Sequence, residues 1–282
     1  MPVLLALGSA LVYGVSDYVG GRASRLRPPV VIALLAEGAL LLVTVAAVPL
    51  IEADGPTAAA IWWGVGGGLA GATGVLGLYA ALARGNMTVV APVTGIVAAI
   101  VPVGVGVALG ERPGLLAAAG IALAVVAVAL IGGIAGVGDQ PVERSTIVLS
   151  ALVGAAFGML FVAYSRTGDD SGTWPLLTAR AGGTPLLLIA FVLFRRRDRT
   201  ISIDRSAVPV GGVIGVLILV ANGLYLWSTH DGLLSIVAVL VALYPVSTVV
   251  LAAVLDRERP SASQVLGMAT AAIAVAMITI GA

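Results

Sequence analysis

The chain has 282 residues, 60% apolar and 10% charged, with a mean hydropathy of +1.11. A water-soluble domain carries roughly 25% charged residues, so this composition excludes one and points to helices of about 20 residues that cross a membrane. A net charge of +1 with no Cys and a single His excludes a nucleic-acid-binding stripe, disulfides, a Zn-thiolate site and a Cys nucleophile, and leaves no expectation of a metal or cofactor.

Apolar runs between charged or Pro/Gly punctuation predict ten spans. They are Ala/Val/Leu/Gly-rich without strand-like alternation, which favours helices over a barrel. The first, 3–20, follows Met1-Pro2-Val3-Leu4, which lacks the basic region of a secretory signal, so it reads as a retained span. Asp17 falls in its last turn, near Arg22 and Arg25. The second, 29–50, carries Glu37 among Ala33, Leu34, Leu40 and Leu41. The third, 61–82, opens on Trp62 and Trp63, spaces Gly64/Gly68 and Gly67/Gly71 for close helix approach, and contains Tyr79. No strand precedes those glycines, so they are no phosphate loop. The fourth and fifth spans cover 88–109 and 114–135. The stretch Gly136-Val137-Gly138-Asp139-Gln140-Pro141 then divides the chain.

The sixth span covers 145–165, and the seventh, 174–194, holds Arg180. The eighth, 207–228, holds Asn222 and Tyr225; His230 reads as part of a solvated hinge before the ninth, 233–255, which contains Tyr244. The tenth covers 262–281. Trp62, Trp63, Trp174 and Trp227 read as interfacial anchors.

All 15 basic residues are Arg. Twelve lie on the odd-numbered loops, two (Arg112 and Arg166) on even-numbered ones, and Arg180 lies inside a span. The positive-inside rule therefore puts the odd loops in the cytoplasm and both termini outside a plasma or inner membrane. Arg195-Arg196-Arg197 reads as a topology anchor, with anionic lipid contact as a second option.

The two halves also match at an offset of about 147 residues. Gly110-Glu111-Arg112-Pro113 returns as Arg257-Glu258-Arg259-Pro260, Gly77-Leu78-Tyr79 as Gly223-Leu224-Tyr225, and the segment from Gly85 to Ala91 as Gly232 to Ala238. Five spans per repeat is odd, so the repeats, 1–137 and 145–282, enter the membrane from opposite sides. The expected fold is an all-α integral membrane protein, ten transmembrane helices in two inverted five-helix repeats, an architecture of secondary transporters.

The segment Ala81 to Pro113, its copy Ser228 to Pro260 and the opening Tyr13-Gly14-Val15-Ser16-Asp17-Tyr18 resemble the EamA family of the drug/metabolite transporter superfamily. Pro102 and Pro245 are the internal prolines of that pattern, at different relative positions in the two copies. The resemblance covers essentially the whole chain and implies a ten-helix carrier of small metabolites, commonly an exporter, without implying a particular substrate. The chain departs from a frequent family feature, a basic residue in the second span, where it has Glu37.

Ionisable groups within spans are functional candidates because each costs at least about 2.5–3.5 kcal/mol to insert. Glu37 reads two ways, as a transport or proton-coupling carboxyl or as a structural partner of Arg180, which lies at similar depth in the counterpart span. Arg180 can also bind an anionic substrate group. Asp17 is either an interfacial carboxylate paired with nearby arginines or part of a site. Asn222 can bond a substrate or bridge helices, and Tyr79 and Tyr225 can line a cavity or pack. The expected activity is secondary transport of a small polar or amphipathic metabolite, exported and proton-coupled, with lipid and that metabolite as partners; the oligomeric state is left open. The rivals are a scaffold or channel, which the inverted repeat disfavours, and an intramembrane enzyme, for which no second carboxylate, Cys or useful His accompanies Glu37.

Overall fold

The computed structural model describes residues 1–51, 55–82, 87–132, 143–198 and 203–281, all helical apart from turns. The repeat boundary 136–141, Arg84, Gly85, Asn86 and Arg199 lie outside the described residues. The helices are α1 Pro2–Leu26, α2 Pro29–Ile51, α3 Ala58–Leu82, α4 Met87–Ala108, α5 Leu115–Ile131, α6 Arg144–Ser165, α7 Trp174–Arg197, α8 Val208–Asp231, α9 Leu234–Val241, α10 Pro245–Leu255 and α11 Ala262–Gly281. Prolines open several of them, including Pro2, Pro175 and Pro209, where a missing N–H leaves no bond unmade. Among the described residues nine crossings are long and apolar enough to span a membrane, one of them formed by α9 and α10 together, and α5 is a tenth, shorter apolar helix. Leu4, Leu11, Leu42, Leu152, Leu188 and Ile273 are exposed on the outside of the bundle, an apolar belt that water would not tolerate and lipid does.

Two elements differ from the sequence expectation. Helix α1 does not stop at Gly20-Gly21 but runs to Leu26. A glycine inside a helix weakens it by only about 1 kcal/mol, whereas Pro28 forces the residue before it out of the helical region, and Arg27 is indeed extended (φ −145°, ψ 155°). The ninth crossing is interrupted at residues 242–244. Pro245 has no N–H to offer the Val241 carbonyl and its ring would press on it, so Tyr244 N–H bonds that carbonyl instead, at 3.0 Å.

Helix α3 packs between α6 and α7, and α8 between α1 and α2; α4 lies on α6 and α9, α9 and α10 lie on α1, α5 on α11, and α2 touches α7. The glycines of α3 permit this. A Cβ on Gly68 would sit 1.8 Å from the Ala179 carbonyl oxygen of α7, and one on Gly67 3.0 Å from the Ala163 side chain of α6.

Side-chain contacts group the loops. In one group, Arg22 meets Asp256, Arg25 meets Glu258 at 3.4 Å and Arg27 meets Asp204 at 3.4 Å, joining loops one, seven and nine. The Ser206 hydroxyl and backbone N–H, helped by Arg27, hold the exposed Asp204 carboxyl below its ordinary pKa. Elsewhere, Thr57 and Ser171 hydroxyls bond at 2.7 Å, joining loops two and six, and Glu111 of loop four reaches the start of α9. The described contacts therefore gather loops one, seven and nine in one group, apart from loops two and six and from loop four with the start of α9.

Candidate functional site

Inside the bundle, Arg180 of α7 donates from Nη1 to Glu37 Oε2 of α2 at 2.8 Å. One turn further along α7, Thr184 donates to the other carboxylate oxygen at 2.7 Å. Arg180 Nε adds a longer bond to the Leu176 carbonyl, 3.4 Å. Both charged residues are 8% exposed. Two charges at this depth are tolerable when paired and hydrogen-bonded, and here both carboxylate oxygens are engaged. The pair fastens α2 to α7 and contributes no net charge to its surroundings.

Tyr13 of α1 donates its hydroxyl to Asn222 Oδ1 of α8. The amide thereby bridges two helices. Tyr225, one turn along α8, is fully buried, and its hydroxyl donates to the Phe161 carbonyl of α6 at 2.9 Å, so its ring packs and lines no open space. Phe161 stacks obliquely on it with centroids 4.7 Å apart and meets Tyr13 edge-on at 6.3 Å. The Tyr164 hydroxyl lies within electrostatic reach of Arg180 and Glu37. Tyr79 is in α3, and its side chain lies outside the described residues. His230 belongs to the last turn of α8 and not to a hinge loop, with Nε2 buried.

Asp17 is placed differently from the sequence expectation. Because α1 extends to Leu26, Asp17 lies nine residues, about 13 Å, before its end, and Arg22 and Arg25 are committed to Asp256 and Glu258. It has no ion pair among the described residues. Its position falls three, four, seven and eleven residues after Gly14, Tyr13, Ala10 and Ala6, on the inward stripe of the helix, where Ala6, Ala10 and Gly14 are buried. The opposite stripe carries exposed Leu4 and Leu11. Asp17 is nevertheless exposed, and a Cβ on Gly21, one turn further on, would meet nothing within 4 Å. Asp17 is thus accessible toward the odd-loop end of α1, a helix that α8, α9 and α10 all flank.

The opposite end is closed. Both carboxylate oxygens of Glu111 accept backbone N–H bonds at the start of α9, from Leu234 at 2.6 Å and Ser235 at 2.9 Å. A carboxylate there satisfies orphan amides and meets the positive end of the helix. All eight residues of α9 are buried, whereas α10, the odd-loop half of the same crossing, has none. Sequence reasoning took the Gly-Glu-Arg-Pro turn as punctuation and missed this clasp. Its signal was the acidic residue itself, retained beside a positive-φ turn. A groove of about 550 Å³ lined by Phe191, Val192, Arg195 and Arg196 begins about three turns beyond Arg180 and is separate from these residues.

Residues 144–280 match the EamA-like transporter family. The second half of the chain is similar to that family. The EamA-like transporters are membrane transporters of the drug/metabolite type, which with the apolar crossings makes the chain a multi-pass membrane protein. A crystal structure of another protein superposes with a TM-score of 0.79 at 18% identity, covering 99% of this chain and 96% of that one. The likeness extends the fold over residues 1–143, outside the EamA match. No curated protein sequence matches the chain.

Proposed function

We propose that the chain is a secondary carrier that exports a small polar or amphipathic metabolite by alternating access between two inverted repeats, 1–137 and 145–282. The observation that carries the reading is the asymmetry of the ninth crossing, in which every residue of α9, at the Glu111 end, is buried and none of α10 is. A carrier in one of its two states has that form, since only one end can open at a time. A channel would be accessible at both ends.

The helix pairings support the repeat. Exchanging α1 with α6, α2 with α7, α3 with α8, α4 with α9–α10 and α5 with α11 turns the pairs α1–α8, α2–α8 and α4–α6 into α6–α3, α7–α3 and α9/α10–α1, all of which occur. Gly110 (φ +96°) and Arg257 (φ +57°) open the equivalent turns and both have positive φ. The arginine distribution supports cytoplasmic odd loops and external termini in a plasma or inner membrane, so the open state faces inward. Coupling to protons requires a carboxyl that water reaches. Asp17 meets that requirement; Glu37, closed by Arg180 and Thr184, does not.

Metabolite profiling tests the function. Overproducing cells should accumulate a specific small metabolite in the medium, and cells lacking the protein should retain it. Identical profiles in both strains contradict transport and favour a scaffold.

A further inference from the structure

We propose that Asp17, together with the rings of Tyr13 and Tyr244, forms a recognition site for organic monocations, amines or quaternary ammonium groups bearing apolar substituents. The inference rests on the carrier reading and names its substrate class. Four observations converge on it. Asp17 is exposed on the inward stripe of α1, toward the odd-loop end of the helix. It has no ion pair among the described residues, because the arginines nearest in sequence are held by Asp256 and Glu258. Tyr13 stands one turn before it, and Tyr244 lies in the break of the ninth crossing. The two rings are 6.4 Å apart and inclined at 55°, and both hydroxyls lie within reach of the Asp17 charge. Arg180, the basic residue inside the bundle, is matched by Glu37 and buried.

The electrostatic consequence is one-sided. An anion approaching Asp17 meets a carboxylate that has no ion pair among the described residues. A cation meets a counter-charge and, beside it, two aromatic rings with negative π faces. The bond from Tyr13 to Asn222 fixes one ring through its hydroxyl. A carboxylate at membrane depth is unfavourable unless a partner meets it, and a cationic substrate supplies that partner for part of the cycle.

The full chain, purified into nanodiscs, is titrated calorimetrically with benzyltrimethylammonium, benzyl alcohol and benzenesulfonate. The cation should bind and the neutral and anionic analogues should not. Asp17→Asn should weaken the cation at least about tenfold, and Tyr244→Leu severalfold. Asp17→Glu, which keeps the charge, should retain binding, and Asp169→Asn, on an exposed turn at the closed end, should change nothing. Tighter binding of benzenesulfonate, or undiminished cation binding in a folded Asp17→Asn protein, overturns the proposal. Should Asp17→Asn fail to fold, loss of binding in Asp17→Glu overturns it instead. Export of anions or neutral metabolites without cation binding defeats this inference and leaves the carrier reading intact. Cation binding without any metabolite movement defeats the carrier reading alone.

Discussion

Arg180 and Glu37 each neutralise a charge that the interior would otherwise leave unpaired. Breaking a buried pair from one side is far more damaging than removing both members, typically by about 3–5 kcal/mol. Arg180→Ala should therefore lower the melting temperature in detergent sharply, and adding Glu37→Ala should restore much of it. A double variant no more stable than Arg180→Ala would remove the ion pair from the account. This pair was legible in the sequence because each charge stands alone at similar depth in the second span of its half. Thr184, which engages the second carboxylate oxygen, was not, since one hydroxyl among many carries no signal of its partner. The depth of Asp17 in its helix differs from the sequence expectation for a definite reason. Its helix was ended at Gly20-Gly21, when the stop is Pro28, and an inward side chain that stays accessible depends on how neighbouring helices stand apart, which periodicity does not encode.

At the level of elements, the glycine spacing of α3 foretold close approach without naming the neighbours. Gly64 and Gly68 turn out to face α7, while Gly67, Gly71, Gly74 and Gly77 face α6. Both neighbours belong to the other half of the chain, which an intact hydropathy pattern cannot reveal. The two faces give a paired test. On Gly68 a Cβ would overlap the Ala179 carbonyl, and on Gly66 it would meet nothing within 4 Å. Gly68→Ala should force α3 from α7 and destabilise the protein strongly in a thermal melt. Gly66→Ala should be neutral or stabilising by up to about 1 kcal/mol, the gain in helix propensity. Equal effects at the two positions would show that this packing does not govern stability. The break at 242–244 was half legible, since Pro245 announced an interruption, but its use, bringing the Tyr244 ring to 6.4 Å from Tyr13, appears only with the helices assembled.

For the whole molecule, the order of the spans and the grouping of loops one, seven and nine could be drawn from the sequence. Apolar length and arginine placement act along the chain and are written in it. Which end is open cannot be, because it is one choice between two packings of the same residues, biased by contacts such as the Glu111 clasp. The central claim is that the two ends open alternately. The chain contains no Cys, so a single introduced Cys reports its own position to a membrane-impermeant maleimide. Gly21→Cys should react readily from the odd-loop face and the buried Ser235→Cys should be protected. Introducing Glu111→Ala into each should raise the reactivity at Ser235→Cys and lower it at Gly21→Cys together. Ser235→Cys becoming reactive while Gly21→Cys stays fully open, or neither changing, would contradict alternating access.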